Sequence, residues 1–271
     1  MICSSVRQMD TSPQPRATVL LLVSIGQYNR YNQQIFPTLY ASYITNMEKA
    51  LDTILRARLV AILRLDDLST AVPIAESLFN AGIQALEFTL TNASTPSVVQ
   101  NLRNECPTIS SGSAVIGIGS VRSLEEAKLA IDSGAQFVVS PITSLSIIDF
   151  CKQNKIVVCP GAYTPTEIAM SWDAGADIVK VFPARNLGAN YIRDVLAPMP
   201  YLKLMPTGGV DLKNIASYFN AGAVAVGIGS QLLDPDAIRR HDWDKLSQTA
   251  SLYVQACKWV GNGASNWKSE V

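Results

Sequence analysis

A lysine and a glutamate each interrupt an otherwise apolar stretch of this sequence. Lys180 lies in residues 177–184 (DIVKVFPA) and Glu87 lies in residues 86–92 (LEFTLTN). Burying an unpaired charge costs several kcal/mol, so each residue needs a structural or chemical reason. A desolvated lysine amine loses its proton more readily and can then form a Schiff base with a ketone. The alternative for Lys180 is an amine that reaches past the strand end to water.

The stretch around Glu87 predicts which side chains share a face. Strand residues alternate between faces, so Glu87, Thr89 and Thr91 share one face and the apolar residues between them share the other. In a barrel the apolar face meets the helices and the polar face points inward. Glu87 beside Lys180 is then either half of a structural ion pair or a general acid/base.

An arginine and two glycine-rich turns could bind anions. Arg64 follows the first apolar run, and its planar fork suits a carboxylate, although it could equally be a surface cation. The turns 206–209 (PTGG) and 227–230 (GIGS) match neither a Walker nor a dinucleotide motif. Glycines let backbone N–H groups approach an anion, so these turns predict a phosphate site. The alternative is two tight turns without a ligand.

Alternating strand and helix patterns must position these residues. Short apolar runs predict strands at 59–63, 85–90, 114–118, 136–139, 156–159, 177–181, 202–205 and 224–228. Helical patterns lie between them, for example at 69–81, 124–133, 166–174 and 212–221, and these end in Ala-Gly or Ser-Gly steps. Eight such units favour an α/β fold of the (β/α)8 TIM barrel type over a doubly wound open sheet. The candidate residues then lie at the carboxyl ends of strands, where barrel active sites form.

The composition limits the classes of function. With 271 residues, net charge +0 and 48% hydrophobic content, the chain suits one large domain and gives no support for general nucleic-acid binding. No apolar run is long enough to span a bilayer. The single histidine, His241, is expected at the surface, which argues against a His-based metal site or a Ser-His-Asp triad. The five cysteines are expected to be reduced and mostly buried.

The first 46 residues differ from the rest of the sequence. They mix Ser, Gln, Pro and Tyr around a short apolar patch at 19–23, which two arginines precede, so a signal peptide is an alternative. The patch is short for a signal peptide, and no clear small-residue cleavage site follows it. We therefore expect residues 1–46 to be an atypical and poorly ordered extension. The barrel is expected to occupy residues 47–271, to begin with a helix at 48–58 and to end with a helix around 246–260.

An ordered series of motifs between about residues 59 and 233 gives the chain a family resemblance. The motifs are LEFTL at 86–90, GIGSV at 117–121, FVVSP at 137–141, CPGA at 159–162, TPTE at 164–167, VKVFP at 179–183, PTGG at 206–209 and GIGS at 227–230. Together they resemble the 2-keto-3-deoxy-6-phosphogluconate / 4-hydroxy-2-oxoglutarate aldolase family. The resemblance implies a metal-independent class I aldolase without a cofactor, which cleaves a 2-keto-4-hydroxy acid into pyruvate and an aldehyde. It further implies a cytoplasmic homotrimer.

The resemblance also assigns roles to individual residues. It makes Lys180 the Schiff-base lysine and Glu87 the general acid/base, and it makes the glycine turns the phosphate site. The implied substrate contacts are Arg64, Thr91, Ser120, Pro141 and Phe182, and the implied phosphate contacts are Thr207, Gly208, Gly209, Gly229 and Ser230.

Three positions depart from the family pattern. Thr91 stands where many members have a carboxylate-binding arginine, and Arg64 is expected to replace it. Ser120 stands for a threonine and keeps the hydroxyl, and Arg185 stands where an acidic residue is frequent, which leaves substrate preference open. Two alternatives remain: a phosphate-binding barrel isomerase or epimerase, and a non-catalytic relative that binds keto acids.

Overall fold

The computed structural model describes residues 37–261. One compact unit, Tyr43–Val271, holds every described strand, and the other, Met1–Ser42, contributes only residues 37–42 to the described part. The expected poor order of the extension therefore lies outside the described residues for positions 1–36, as does Cys3. Within the described part, every helix is too short or too polar to cross a bilayer.

The strands form a parallel sheet that curls into a barrel. They are β1 Leu59–Leu63, β2 Ala85–Thr89, β3 Val115–Gly119, β4 Phe137–Val139, β5 Val157–Cys159, β6 Gly161–Ala162, β7 Val179–Val181, β8 Leu204–Pro206 and β9 Val226–Ile228. Six pair in the order β5-β4-β3-β2-β1-β9, and the other three pair in the order β6-β7-β8. Every pairing is parallel, as strand–helix–strand units require.

The two groups of strands join at both edges. At one edge Thr207, directly after β8, forms a parallel bridge with Gly227 of β9. At the other edge β5 and β6 are two pieces of one barrel strand, separated by Pro160. Proline cannot donate a ladder hydrogen bond, yet its carbonyl accepts one from the Lys180 N–H at 2.9 Å. The result is eight strand positions around a closed ring, which confirms the predicted (β/α)8 barrel.

Helices cover the outside of the ring and connect its strands. They are α1 Pro37–Ala57, α2 Ala71–Asn80, α3 Thr95–Glu105, α4 Pro107–Ser110, α5 Leu124–Asp132, α6 Leu145–Gln153, α7 Pro165–Asp173, α8 Gly188–Leu196, α9 Ile215–Asn220, α10 Pro235–Arg239 and α11 Trp243–Gly261. The predicted Ala-Gly and Ser-Gly stops are confirmed, because the glycine in each of these four steps has a positive φ, from 86° at Gly134 to 103° at Gly222.

The barrel interior has its own apolar layer, which α1 closes at the amino-terminal end of the strands. Phe137, Val157, Met205 and other inward-facing side chains form this layer, together with Ala50 and Ile54 of α1. A separate and larger core lies between the strands and the surrounding helices. Because α1 and the apolar layer block the amino-terminal end, only the carboxyl end of the barrel is available for a site, as the sequence predicted.

The boundaries of two terminal elements differ from the predictions. The first helix begins at Pro37 rather than at residue 48, because proline suits the first helical turn and residues 38–46 contain no glycine or proline to stop it. The predicted last helix around 246–260 is present as α11, although it begins earlier, at Trp243, and the short α10, capped by Asp234, precedes it. His241, between them, is exposed as predicted, and it stacks on Trp243.

Candidate active site

Lys180 and Glu87 face each other inside the barrel. Lys180 is central in β7 and Glu87 is central in β2, and only 5% and 1% of their surfaces are exposed. The Lys180 Nζ lies 3.9 Å from the Glu87 Oε1. That separation allows strong electrostatic attraction but is too long for a hydrogen bond. The amine and the carboxyl are therefore not hydrogen-bonded to each other, and both can interact with a substrate group placed between them.

Burial dominates the electrostatics of Glu87. Desolvation raises the pKa of its carboxyl group, and the positive charges of Lys180 and Arg64 only partly oppose that effect. Its Oε2 atom is buried without a hydrogen-bond partner among the described residues. A raised pKa together with a free oxygen is what a group that accepts and returns a proton requires.

Glycines in neighbouring strands make the space for these side chains. A Cβ atom at Gly119 of β3 would overlap the Glu87 carboxylate, and one at Gly117 would overlap the Phe137 ring. At Gly227 of β9, a Cβ would overlap the Thr207 hydroxyl. Sequence reasoning treated these glycines only as parts of motifs. Their position inside predicted strands could have revealed this role, because a glycine within a strand often marks a site where another group approaches the backbone closely.

Three hydroxyl groups surround the upper rim of β2 and β3. The Thr89 Oγ1 lies 2.8 Å from the Thr91 Oγ1, so these two residues share a face, as predicted. Ser120, half-buried, directly follows β3 with a φ of 62°. A serine in the left-handed region is uncommon and carries strain, which is typical of residues at functional sites.

Arg64 stands at the mouth of the barrel, directly after β1. Its side chain is exposed, and it is close enough for its charge to lower the pKa of Glu87. The loop that carries it is fixed from the neighbouring loop, because the Asn92 side-chain amide donates to the carbonyl of Asp66 at 2.8 Å. Arg64 has no acidic partner within 4 Å among the described residues, so its guanidinium is available to a carboxylate.

The two glycine turns lie side by side at the mouth, after β8 and β9. Gly208 and Gly209 have φ values of 89° and 87°, a conformation that favours glycine. Thr207 is buried, whereas Gly229 is half-buried and Ser230 is exposed. The structure thus brings all five predicted phosphate contacts to the same end of the barrel.

Pro141 and Phe182 complete the set of predicted contacts. The centroid of the Phe182 ring lies 5.1 Å from the Lys180 Nζ, within the range of a cation–π contact. Pro141, after β4, is half-buried, and its backbone packs so closely on Gly161 that no side chain could stand there. A residue that sequence reasoning left out of the site, Arg185, lies beside Gly209.

The described part of the chain contains four cysteines. Cys106, Cys151, Cys159 and Cys257 are free and buried, as predicted. Burial raises the pKa of Cys151 and Cys257 to about 12, so neither thiol is reactive at neutral pH. Among residues 37–261, no group of three or more His, Cys, Asp and Glu side chains could hold a metal ion.

Comparison with known proteins decides the family. The family model "KDPG and KHG aldolase", whose abbreviations stand for 2-keto-3-deoxy-6-phosphogluconate and 4-hydroxy-2-oxoglutarate, matches residues 51–249. The chain belongs to the KDPG and KHG aldolase family. The resemblance inferred from the ordered motifs is therefore confirmed.

Individual members of the aldolase family agree with this result. The 2-dehydro-3-deoxy-phosphogluconate aldolase of Treponema pallidum is 31% identical over 207 residues, which cover 76% of this chain and 95% of that protein. A solved structure described as native KDPGal superimposes with a TM-score of 0.69 at 27% identity, covering 75% of this chain and 96% of the other.

A third relative bears on the chemistry. The KDPG aldolase of Legionella pneumophila has a TM-score of 0.67 at 26% identity, covering 75% of this chain and 96% of the other. That structure holds pyruvate captured at low pH as a covalent carbinolamine intermediate.

Proposed function

We propose that this chain is a class I aldolase that cleaves a 2-keto-4-hydroxy acid into pyruvate and an aldehyde. The candidate substrates are 2-keto-3-deoxy-6-phosphogluconate, which yields glyceraldehyde 3-phosphate, and 4-hydroxy-2-oxoglutarate, which yields glyoxylate. The observation that carries the proposal is the buried amine of Lys180, 3.9 Å from the buried carboxyl of Glu87. Membership of the aldolase family supports it.

The first step forms a bond between Lys180 and the substrate. The neutral amine attacks the C2 ketone to give a carbinolamine, and loss of water then gives an iminium ion. The burial of Lys180 and the Phe182 ring beside it keep bulk water from the amine. A carbinolamine is the species captured in the Legionella pneumophila relative, which supports this route.

Glu87 moves the proton in the second step. Its carboxylate accepts the proton of the C4 hydroxyl, the C3–C4 bond breaks, and the electron pair passes to the iminium nitrogen to form an enamine. The aldehyde leaves. Protonation of the enamine at C3, followed by hydrolysis, releases pyruvate and restores the amine of Lys180. The raised pKa of Glu87 suits this exchange, because the carboxyl must both accept and return a proton.

The remaining residues hold the substrate at its two ends. Arg64, Thr91 and Ser120 orient the carboxylate and ketone end, and the half-buried Pro141 and Phe182 line the path to Lys180. Thr207, Gly208, Gly209, Gly229 and Ser230 bind a distal phosphate through their turns. An isomerase or epimerase of the same fold would use the glycine turns and Glu87 but would leave Lys180 without a covalent role.

Pyruvate release tests the proposal directly. Each candidate substrate is incubated with the enzyme, with and without EDTA, and pyruvate is followed with a coupled dehydrogenase. We expect pyruvate from at least one substrate, unchanged turnover in EDTA, and no turnover by Lys180→Arg, which keeps the charge but cannot form the iminium. Turnover by Lys180→Arg, or its abolition by EDTA, would overturn the class I mechanism.

We propose further that the enzyme is a cytoplasmic homotrimer and that its catalytic unit is 47–271, with residues 1–46 as an atypical extension. Exposed apolar side chains support the assembly: Ile142, Leu145 and Met170 are 47%, 50% and 46% exposed. Thr143 lies near Ile142 and Leu145, and it contacts Ser171, which follows Met170. These side chains therefore lie on neighbouring elements.

The position of every described strand after Tyr43 supports the proposed catalytic unit.

A further inference from the structure

Arg185 has no role in the mechanism described above, yet it stands beside the candidate phosphate site. It lies in the 3-10 turn Ala184–Asn186, which follows β7 and therefore Lys180 along the chain. Its side chain is exposed. The guanidinium has no acidic partner within 4 Å and no side-chain hydrogen bond among the described residues, so it is available to an anion.

The turn that carries Arg185 packs directly on the glycine turn. A Cβ atom added to Gly209 would lie 2.8 Å from the Cβ of Arg185 and 3.0 Å from its Cα. Only a glycine allows the two backbones to approach so closely. The Ala184 N–H donates to the carbonyl of Thr207 at 2.9 Å, which joins the two turns a second time.

Further hydrogen bonds fix both turns from the helix side. The Tyr218 hydroxyl donates to the Ala184 carbonyl at 3.2 Å, and the Asn214 side-chain amide donates to the Gly209 carbonyl at 2.8 Å. Arg185 thus extends from a fixed base. Because the backbone of Arg185 is already held in place, less conformational entropy is lost when its long side chain binds a ligand.

The acidic side chain that follows the glycine turn does not pair with Arg185. Asp211, after the glycine turn, accepts hydrogen bonds from the backbone N–H groups of Lys213 and Asn214 and forms no ion pair among the described residues. Arg64 stands at the other end of the arc of loops that follow β7, β8, β9 and β1. The arc therefore carries an unpaired arginine at each end, with the glycine turns between them.

We propose that Arg185 is a specificity-determining residue that binds the distal phosphate of the substrate. Its fork supplies charge-assisted hydrogen bonds to phosphate oxygens while the glycine turns supply backbone groups. The enzyme then prefers a 6-phosphorylated 2-keto-3-deoxy acid to its unphosphorylated counterpart and to 4-hydroxy-2-oxoglutarate, whose second carboxylate is bonded directly to the reacting C4. This inference rests on the proposed aldolase function.

The test compares Arg185→Gln with the matched control Arg193→Gln. Arg193 is exposed on α8 and has no ion pair among the described residues. kcat/KM is measured with 2-keto-3-deoxy-6-phosphogluconate and with 2-keto-3-deoxygluconate. For Arg185→Gln we expect a loss of roughly 10- to 100-fold on the phosphorylated substrate, the size of a lost hydrogen bond to a charged group. We expect less than about 3-fold loss on the unphosphorylated substrate and no effect of Arg193→Gln on either.

A second variant and a second readout separate this inference from the aldolase proposal. Arg185→Lys keeps the positive charge but loses the planar guanidinium. Its kcat/KM on the phosphorylated substrate should therefore lie between the values of wild type and Arg185→Gln. All Arg185 variants should still form the pyruvate adduct at Lys180. Equal loss on both substrates, or unchanged kcat/KM on the phosphorylated one, would overturn the role of Arg185. Wild-type enzyme that neither cleaves a substrate nor forms the adduct would instead refute the proposed function.

Discussion

At the residue scale, the site depends on how Glu87 and Lys180 are buried together. Each side chain would be costly alone in the barrel, and at 3.9 Å each partly offsets the cost of the other. The remaining cost falls on Glu87, whose Oε2 has no partner among the described residues and whose pKa is raised by burial. An unsatisfied buried carboxyl that persists in a fold is typical of a catalytic group.

Glu87→Gln separates the two chemical roles. The amide cannot accept the C4 hydroxyl proton, so we expect kcat for cleavage to fall by roughly 10²- to 10⁴-fold. Formation of the iminium with pyruvate should persist, because the Lys180 amine, which forms the bond to the ketone, is still present. Both are measured on the same preparation, by pyruvate release and by borohydride reduction. Parallel loss of turnover and adduct would contradict this division of roles.

The same substitution should change how stability depends on pH. Because the pKa of Glu87 is raised in the folded state, the folded enzyme holds a proton that the unfolded chain releases above its ordinary glutamate pKa of about 4.3. The protonated Glu87 therefore makes its full contribution to the free energy of unfolding below that pH. The contribution is lost as the pH rises through the folded-state pKa of Glu87. Urea unfolding at several pH values should therefore show a flatter profile for Glu87→Gln than for wild type across this window. Identical slopes would contradict the raised pKa.

The sequence was sufficient to predict several of these residues. The alternation in β2 placed Glu87 on the inward face, and strand ends placed Arg64, Ser120 and the glycine turns at the mouth. It could not show that Gly119 makes room for the Glu87 carboxylate or that Arg185 contacts Gly209. Both contacts join residues from different strand–helix units, and no local pattern encodes such a distance.

At the scale of elements, the strands were predicted more accurately than the helices. β1 matches its prediction at both ends, because five consecutive apolar residues are buried on both faces of the ring. The helical patterns were given only as examples, and α3, α6 and α8 were not among them. The break between β5 and β6 also depends on tertiary structure: Pro160 interrupts the strand while the ring continues through its carbonyl.

The glycine turns give a prediction at this scale. Gly209→Ala places a side chain at a φ of 87° and against the backbone of Arg185, so we expect a loss of about 1–3 kcal/mol in the free energy of unfolding. Gly229→Ala is the control. A Cβ there would meet only ordinary contacts at 3.5 Å or more, and we expect a change within about 0.5 kcal/mol. Urea denaturation measures both, and equal losses would contradict the packing described for the two turns.

At the scale of the whole molecule, the closed ring explains why residues far apart in sequence form one site. Helix α1 and the apolar interior block the amino-terminal end of the barrel, so the polar side chains gather at the carboxyl end. The eight-unit pattern was sufficient to predict this arrangement. The extent of α1 was not predicted, because residues 37–46 differ in composition from the barrel that follows.

The assembly is tested by measuring mass in solution. Light scattering on the full chain should give about three times the chain mass of 29.3 kDa. Replacing Leu145, which is 50% exposed, by aspartate should lower that mass if the apolar residues beside it form the contact. The equivalent change at Leu252, 37% exposed on α11, is the control and should leave the mass unchanged. A monomer from the wild-type chain would contradict the proposed trimer.

The most direct test of the central claim is to trap the covalent intermediate. The enzyme is incubated with pyruvate, reduced with borohydride, digested and mapped by mass spectrometry, with Lys152 as an internal comparison because its amine is already paired with Asp177 at 2.7 Å. We predict one reduced pyruvoyl adduct, on the peptide that carries Lys180, and none in Lys180→Arg. A folded enzyme without an adduct, or with the adduct on another lysine, would contradict the account.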